Sequence, residues 1–123
     1  MTSASALPST DGSTPLPKTI LVVEDGLVSK LVRAVLQRHG YAVTIAEATE
    51  AEALLQSPES HVGLLITNTP GHFLELAARV PLLYLTSQPD PVFETIFRDC
   101  LIVVKPFIPE DLVAAAAALL GSV

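Results

Sequence analysis

Four short apolar segments of this 123-residue chain end in polar side chains that could do chemistry together. The polar groups are the carboxylates of Glu24 and Asp25, the amide of Asn68, the hydroxyl of Thr86 and the ammonium of Lys105. Carboxylates bind hard cations such as Mg²⁺, and a hydroxyl with an ammonium stabilises a phosphoryl group or another anion. Each group also has a structural explanation, such as a helix cap, a turn or a solvated lysine.

The hydrophobic pattern predicts the elements that would position these groups. Short, mostly apolar segments typical of buried parallel strands alternate with segments of helical periodicity. Strands are predicted at 19–24, 41–46, 62–67, 81–86 and 101–104, and helices at 27–38, 49–55, 73–79, 91–98 and 109–120. This order predicts a doubly wound, flavodoxin-like α/β fold, (βα)5, with a five-stranded parallel sheet in the order 2-1-3-4-5.

The predicted topology places the polar groups at one edge of the sheet. In open parallel sheets, ligands bind at the carboxyl ends of the strands, near the switch point between strands 1 and 3. Glu24 and Asp25 follow strand 1, Asn68 follows strand 3, Thr86 ends strand 4 and Lys105 follows strand 5. We therefore expect these side chains to converge on one site suited to a phosphoryl group or another anion.

Three segments carry a resemblance to a known family. ILVVEDGLVSKLVRAVLQRHGY, LLYLTS and IVVKPF resemble the receiver domains of response regulators in two-component phosphorelay signalling, and the resemblance covers about residues 18–121. It implies that Glu24 and Asp25 help to bind Mg²⁺, with Asp25 as the direct ligand. It also implies that Thr86 and Lys105 contact the phosphoryl group.

Two positions depart from the pattern of that family. Asn68 occupies the place of the phosphate-accepting aspartate, and Ile102 occupies the place of an aromatic switch residue. An amide is a poor nucleophile and brings no charge to a metal, so phosphorylation is expected to be lost and Mg²⁺ to bind weakly or not at all. Lys105 is then expected to hydrogen-bond Asn68 or to pair with Glu24 or Asp25.

The sequence is therefore interpreted as an atypical receiver, or pseudo-receiver, without enzyme activity or another cofactor. It is expected to act through contacts with signalling proteins, such as a histidine kinase or an output domain. A weak homodimer is a further hypothesis, although most of the apolar residues it would use could simply face the sheet. The predicted dimer face consists of apolar residues around helix 4, strand 5 and helix 5, namely Val92, Phe93, Ile96, Phe97, Ile108 and Leu112.

Two alternatives remain open from the residues. One is a working phosphoacceptor that uses a hydroxyl of Thr67, Thr69 or Thr86 instead of an aspartate. The other is a small flavodoxin-like enzyme or ligand-binding protein. Against the second, Glu-Asp-Gly follows strand 1 where a nucleotide binder would have a glycine-rich phosphate loop.

Composition limits the remaining classes of function. The net charge of −6 leaves no basic stripe for phosphate contacts, so direct binding to nucleic acid is not expected. Apolar runs stay well below the ~18 residues of a membrane span, and the single Cys100 excludes an internal disulfide. Residues 1–17 are interpreted as a flexible leader or linker, residues 18–123 as the receiver-like domain, and the protein as cytoplasmic.

Overall fold

The strands of the protein form one parallel sheet in the order β2-β1-β3-β4-β5, which confirms the predicted fold. The computed structural model describes residues 19–57, 61–97 and 99–121, so the predicted leader lies outside the described residues. The strands are β1 (Thr19–Val23), β2 (Ala42–Ile45), β3 (Val62–Thr67), β4 (Leu82–Thr86) and β5 (Cys100–Val104).

The central strands are apolar on both faces because both faces of the sheet are covered. Residues 20–22 of β1, 64–66 of β3 and 82–83 of β4 have no exposed surface. The edge strand β2 instead alternates between exposed and half-buried residues. The continuous apolar runs that predicted buried parallel strands therefore reflect burial from two sides.

Four α-helices are formed in the described part of the chain: α1 (Gly26–Arg38), α2 (Ala48–Gln56), α3 (Val92–Ile96) and α4 (Pro109–Gly121). Helices α1 and α4 pack on one face, where Val32, Leu36 and Leu112 join the core. The other face is covered by α2, α3 and a 3-10 segment. Helix α1 ends before Gly40, whose φ of 89° is a left-handed conformation that glycine adopts without strain.

The helix predicted at 73–79 is wrong in type and position. The chain instead forms a 3-10 segment at Pro70–Leu76, with non-helical φ and ψ angles at Phe73. Pro70, Phe73 and Leu76 are its buried residues. A spacing of three residues matches the 3.0-residue turn of a 3-10 helix and not the 3.6-residue turn of an α-helix.

None of the helices in the described ranges has the length and apolar character needed to cross a membrane.

Candidate functional site

The two adjacent acids after β1 occupy different environments. The side chain of Glu24 is fully buried, whereas Asp25 is exposed. Oδ1 of Asp25 accepts a hydrogen bond of 3.2 Å from the backbone N–H of Val28, which makes Asp25 the N-cap of α1. The backbone N–H of Asp25 donates to Oε1 of Glu24 at 3.1 Å. One acid therefore caps a helix, and the other is a buried charge.

Lys105 neutralises this buried charge. Its Nζ lies 3.0 Å from Oε2 of Glu24, and its side chain is 22% exposed. Oε2 is fully buried and has no aligned hydrogen-bond donor among the described residues, so the ammonium contact is mainly electrostatic. At this distance and an effective dielectric near 20, the Coulomb attraction alone is about 5.5 kcal/mol. The cost of removing both ions from water offsets much of that attraction.

The ion pair joins two strands that are not neighbours. Glu24 follows β1 and Lys105 follows β5, and the strand order places β3 and β4 between them. Three strand spacings amount to roughly 14 Å between the backbones, so the side chains meet above the ends of β3 and β4. The backbone N–H of Lys105 also donates to the carbonyl of Thr86 at 2.8 Å. The pair therefore spans the edge where Asn68 and Thr86 lie.

Asn68, at the end of β3, is half-buried, and its side chain forms no hydrogen bond to any described residue. It thus stands at the predicted edge but takes no part in the ion pair. Of the three partners considered for Lys105, the structure selects Glu24.

The threonine hydroxyls at this edge are engaged in local bonds. Oγ1 of Thr67 is 3.2 Å from Oγ1 of Thr69 and accepts the backbone N–H of Thr69 at 3.1 Å. Oγ1 of Thr86 accepts the backbone N–H of Gln88 at 3.0 Å. These are turn bonds of the kind that serine and threonine form after a strand, and Thr67 is completely buried. As arranged, the hydroxyls of Thr67 and Thr86 serve the turns.

Carboxylates that the sequence analysis missed lie beside Glu24. A shallow depression at the carboxyl ends of β1 and β2 is lined by Glu24, Ser29, Glu47 and Glu50. Glu47 follows β2 at the same edge of the sheet, which is the signal that could have identified it. Among the residues that the structure describes, however, no three acids, histidines or cysteines come close enough to hold a metal ion.

The side chains at this edge do not fit the Mg²⁺ site that the family resemblance implies. Mg²⁺ requires charged or polar oxygens around a nearly octahedral site. Here the carboxylate of Glu24 is already neutralised by Lys105, Asp25 caps α1, and Asn68 contributes no charge. The ammonium of Lys105 thus lies against the carboxylate that a divalent cation would need.

Ile102, which the family resemblance places at the aromatic switch position, is half-buried against the core under α2 and α3. Tyr84 is its partner in register on β4 and is buried. The Tyr84 ring packs edge-to-face on Phe93, with ring centroids 5.4 Å apart. The aromatic group in this region is therefore a buried ring on β4.

The structure corrects the predicted dimer face. Phe97 and Leu112 are 3% and 0% exposed, so their side chains belong to the core and are not available to a partner. Phe93 is half-buried against Tyr84. The residues of that face that do reach the surface are Val92, Ile96 and Ile108.

Two further apolar side chains of this surface lie on β5 and were not part of the predicted dimer face. Leu101 and Val104 are 38% and 51% exposed because β5 is an edge strand. Together with Phe107, Ala114 and Ala115, they line a groove between β5 and α4.

Several solved structures resemble this chain, whereas no protein-family model and no curated protein matches it. The chemotaxis response regulator CheY4 of Vibrio cholerae is 24% identical with a TM-score of 0.70, covering 85% of this chain and 99% of that chain. A CheY-like receiver domain protein of Methanospirillum hungatei is 20% identical with a TM-score of 0.70, covering 86% and 95%. A receiver protein of Sinorhizobium medicae is 19% identical with a TM-score of 0.70, covering 86% and 96%. The chain thus has the fold of response regulator receiver domains.

Proposed function

We propose that this chain, which has the receiver fold, is a signalling module that does not accept a phosphoryl group and acts through contacts with other proteins. The observation that carries the proposal is the identity of the residue at the end of β3, Asn68. In the receiver domains that this chain resembles, the phosphate-accepting aspartate stands at this position. An amide cannot form an acyl phosphate by displacement, so the step that drives a receiver is absent.

The surrounding groups support the same proposal. Lys105, which would contact the phosphoryl group in a receiver, is held by Glu24. The hydroxyl of Thr86 accepts a backbone N–H in its own turn. Neither group is prepared for an incoming anion in this arrangement, and no enzyme activity is proposed.

The proposed partners are those of two-component signalling, a histidine kinase or an output domain. The acidic net charge of −6 argues against nucleic acid as a direct partner. The exposed apolar residues of α3 and β5, with Ile108 just before α4, offer the surface on which such a contact could form.

The proposal is tested by exposing the chain to acetyl phosphate with MgCl₂ and reading the mass of the intact protein and its amide NMR spectrum. The wild type is expected to remain unmodified and its spectrum unchanged. Asn68→Asp places a carboxylate at the same edge of the sheet as Asp25, Thr86 and Lys105 and is expected to regain cation binding. Gln88→Glu is the matched control, because it adds the same charge at an exposed position nearby.

Stoichiometric phosphate on the wild type would overturn the proposal. If that phosphate resisted acid, a threonine hydroxyl would be the acceptor, and peptide mapping would separate Thr67, Thr69 and Thr86. A cation response of Gln88→Glu equal to that of Asn68→Asp would show that added charge, and not the β3 position, governs the response.

A further inference from the structure

We infer that the ammonium of Lys105 is the resident cation of this site and takes the place of a divalent metal ion. The inference goes beyond the proposed function, because it concerns how the site is charge-balanced and not whether it is phosphorylated. The side chains of this edge do not match a Mg²⁺ site. The buried carboxylate of Glu24 has one charged partner among the described residues, Nζ of Lys105 at 3.0 Å.

The burial of the pair is asymmetric, and this asymmetry determines what each residue contributes. Glu24 has no exposed side-chain surface, whereas Lys105 is 22% exposed. Without Lys105, a carboxylate would stay buried with no counter-charge, which is among the costliest changes in a folded protein. Without the charge of Glu24, Lys105 could turn its ammonium to water along its flexible stem. Neutralising Lys105 should therefore destabilise the fold more than neutralising Glu24.

The strand order gives the ion pair a second role, because it links β1 and β5, which are not neighbours in the sheet. Two strands separate these elements, so the backbone ladder links them only through β3 and β4. The side-chain contact joins them directly above Asn68 and Thr86. The ion pair therefore holds the carboxyl ends of the strands in one arrangement without any added ion.

Thermal unfolding of a variant series, in MgCl₂ and in NaCl of matched ionic strength, tests the inference. The wild type is expected to unfold at the same temperature in both salts. Lys105→Gln is expected to lower the midpoint by on the order of 10 °C or more. MgCl₂ is expected to restore part of that loss, because the neutral glutamine leaves the Glu24 carboxylate without a counter-charge beside the depression that Glu47 and Glu50 also line. Lys30→Gln, at an exposed position of α1, is the matched control. It should change neither the unfolding midpoint nor the response of that midpoint to MgCl₂.

Two further variants keep the test decisive if Lys105→Gln fails to fold. Glu24→Gln with Lys105→Gln removes both charges and is expected to recover most of the loss. Glu24→Gln by itself should lower the midpoint less than Lys105→Gln. Lys105→Arg keeps the charge and should remain insensitive to MgCl₂.

The inference is overturned if MgCl₂ stabilises the wild type as much as Lys105→Gln, since a metal would then bind beside the ion pair. It is equally overturned if Lys105→Gln behaves like Lys30→Gln, or if the double variant is no more stable than Lys105→Gln. Phosphorylation of the wild type by acetyl phosphate would contradict the proposed function and leave these outcomes unaffected. The two proposals therefore fail separately.

Discussion

The two faces of the sheet are covered by layers of very different regularity. On one face lie α1 and α4, each of 13 residues. On the other lie α2 with 9 residues, the 3-10 segment with 7 and α3 with 5. The two long helices bury four and three of their residues, whereas α2 buries one, α3 none and the 3-10 segment three. We therefore expect the layer of long helices to unfold as a unit and the layer of short segments to open locally.

The largest effect is expected from removing the main anchor of the short layer. Phe73 is 1% exposed and lies inside the 3-10 segment, so Phe73→Ala should cost about 3–5 kcal/mol of unfolding free energy. Chemical denaturation measures the loss, and hydrogen exchange locates it. We expect exchange to rise first at residues 70–80. Uniformly faster exchange in all strands would contradict the idea that this layer opens by itself.

A core substitution in the layer formed by α1 and α4 is expected to have a different, more widespread effect. Leu112 of α4 is fully buried against the sheet, and Leu112→Ala should cost about 2–5 kcal/mol. Because α4 is long and packs on α1, protection should fall throughout both helices and β5 together. If exchange rises only within α4, the layer formed by α1 and α4 also opens locally, and the two layers do not differ in this respect.

A smaller effect concerns the surface of the short layer and not its core. Ile96 is 42% exposed on α3, so Ile96→Asp should change stability by no more than about 0.5 kcal/mol. If the chain self-associates weakly through α3, β5 and α4, the same substitution should lower association in sedimentation velocity. Leu27→Asp on α1, at an 84% exposed position, is the matched control. Monomer at every concentration of the wild type would remove the homodimer hypothesis.

The smallest effect on the free energy of unfolding is expected at Cys100, where β5 begins beside the short layer. Burial and the nearby carboxylate of Glu94 raise the pKa of the Cys100 thiol from 9.0 to about 11. The thiolate fraction at neutral pH is then about 100-fold lower than in the unfolded chain, since each pKa unit is a factor of ten. Alkylation by iodoacetamide should be correspondingly slower in the folded protein than in denaturant. Equal rates in the two states would refute the shift.

The same shift has a defined sign in the pH dependence of stability. The folded state holds the thiol proton more tightly than the unfolded state, so its stabilising contribution is complete below about pH 9. It is lost as the pH rises from there towards 11. Because the thiol is only half-buried, solvent reduces this effect to a small one. The free energy of unfolding, measured by chemical denaturation between about pH 9 and pH 11, should fall less in Cys100→Ser than in the wild type.

Much of the fold could be predicted because its signals are local. The apolar runs of β1, β3 and β4 and the helical spacing of α1 each lie within one short segment. The 3-10 segment was missed, although Pro70, Phe73 and Leu76 carry its spacing of three residues. The predicted helix began at Phe73 and so left out Pro70, the residue with which the 3-10 segment begins.

The candidate site was predictable at the level of strand ends and not at the level of contacts. The order of elements placed Glu24, Asn68, Thr86 and Lys105 at one edge, which the strand order supports. It left three partners open for Lys105. Each lay within plausible reach, and burial distinguishes them only when the packed core is known.

Residue type and periodicity are local properties, so they were enough to predict the alternation of strands and helices, the polar strand ends and the amide after β3. The packed fold was needed to show that Glu24 is fully buried, that Lys105 reaches it across two strands, and that Phe97 and Leu112 belong to the core. Burial and ion pairing depend on strand spacing, register and helix coverage. Those quantities arise between segments far apart in the chain, where no local pattern records them.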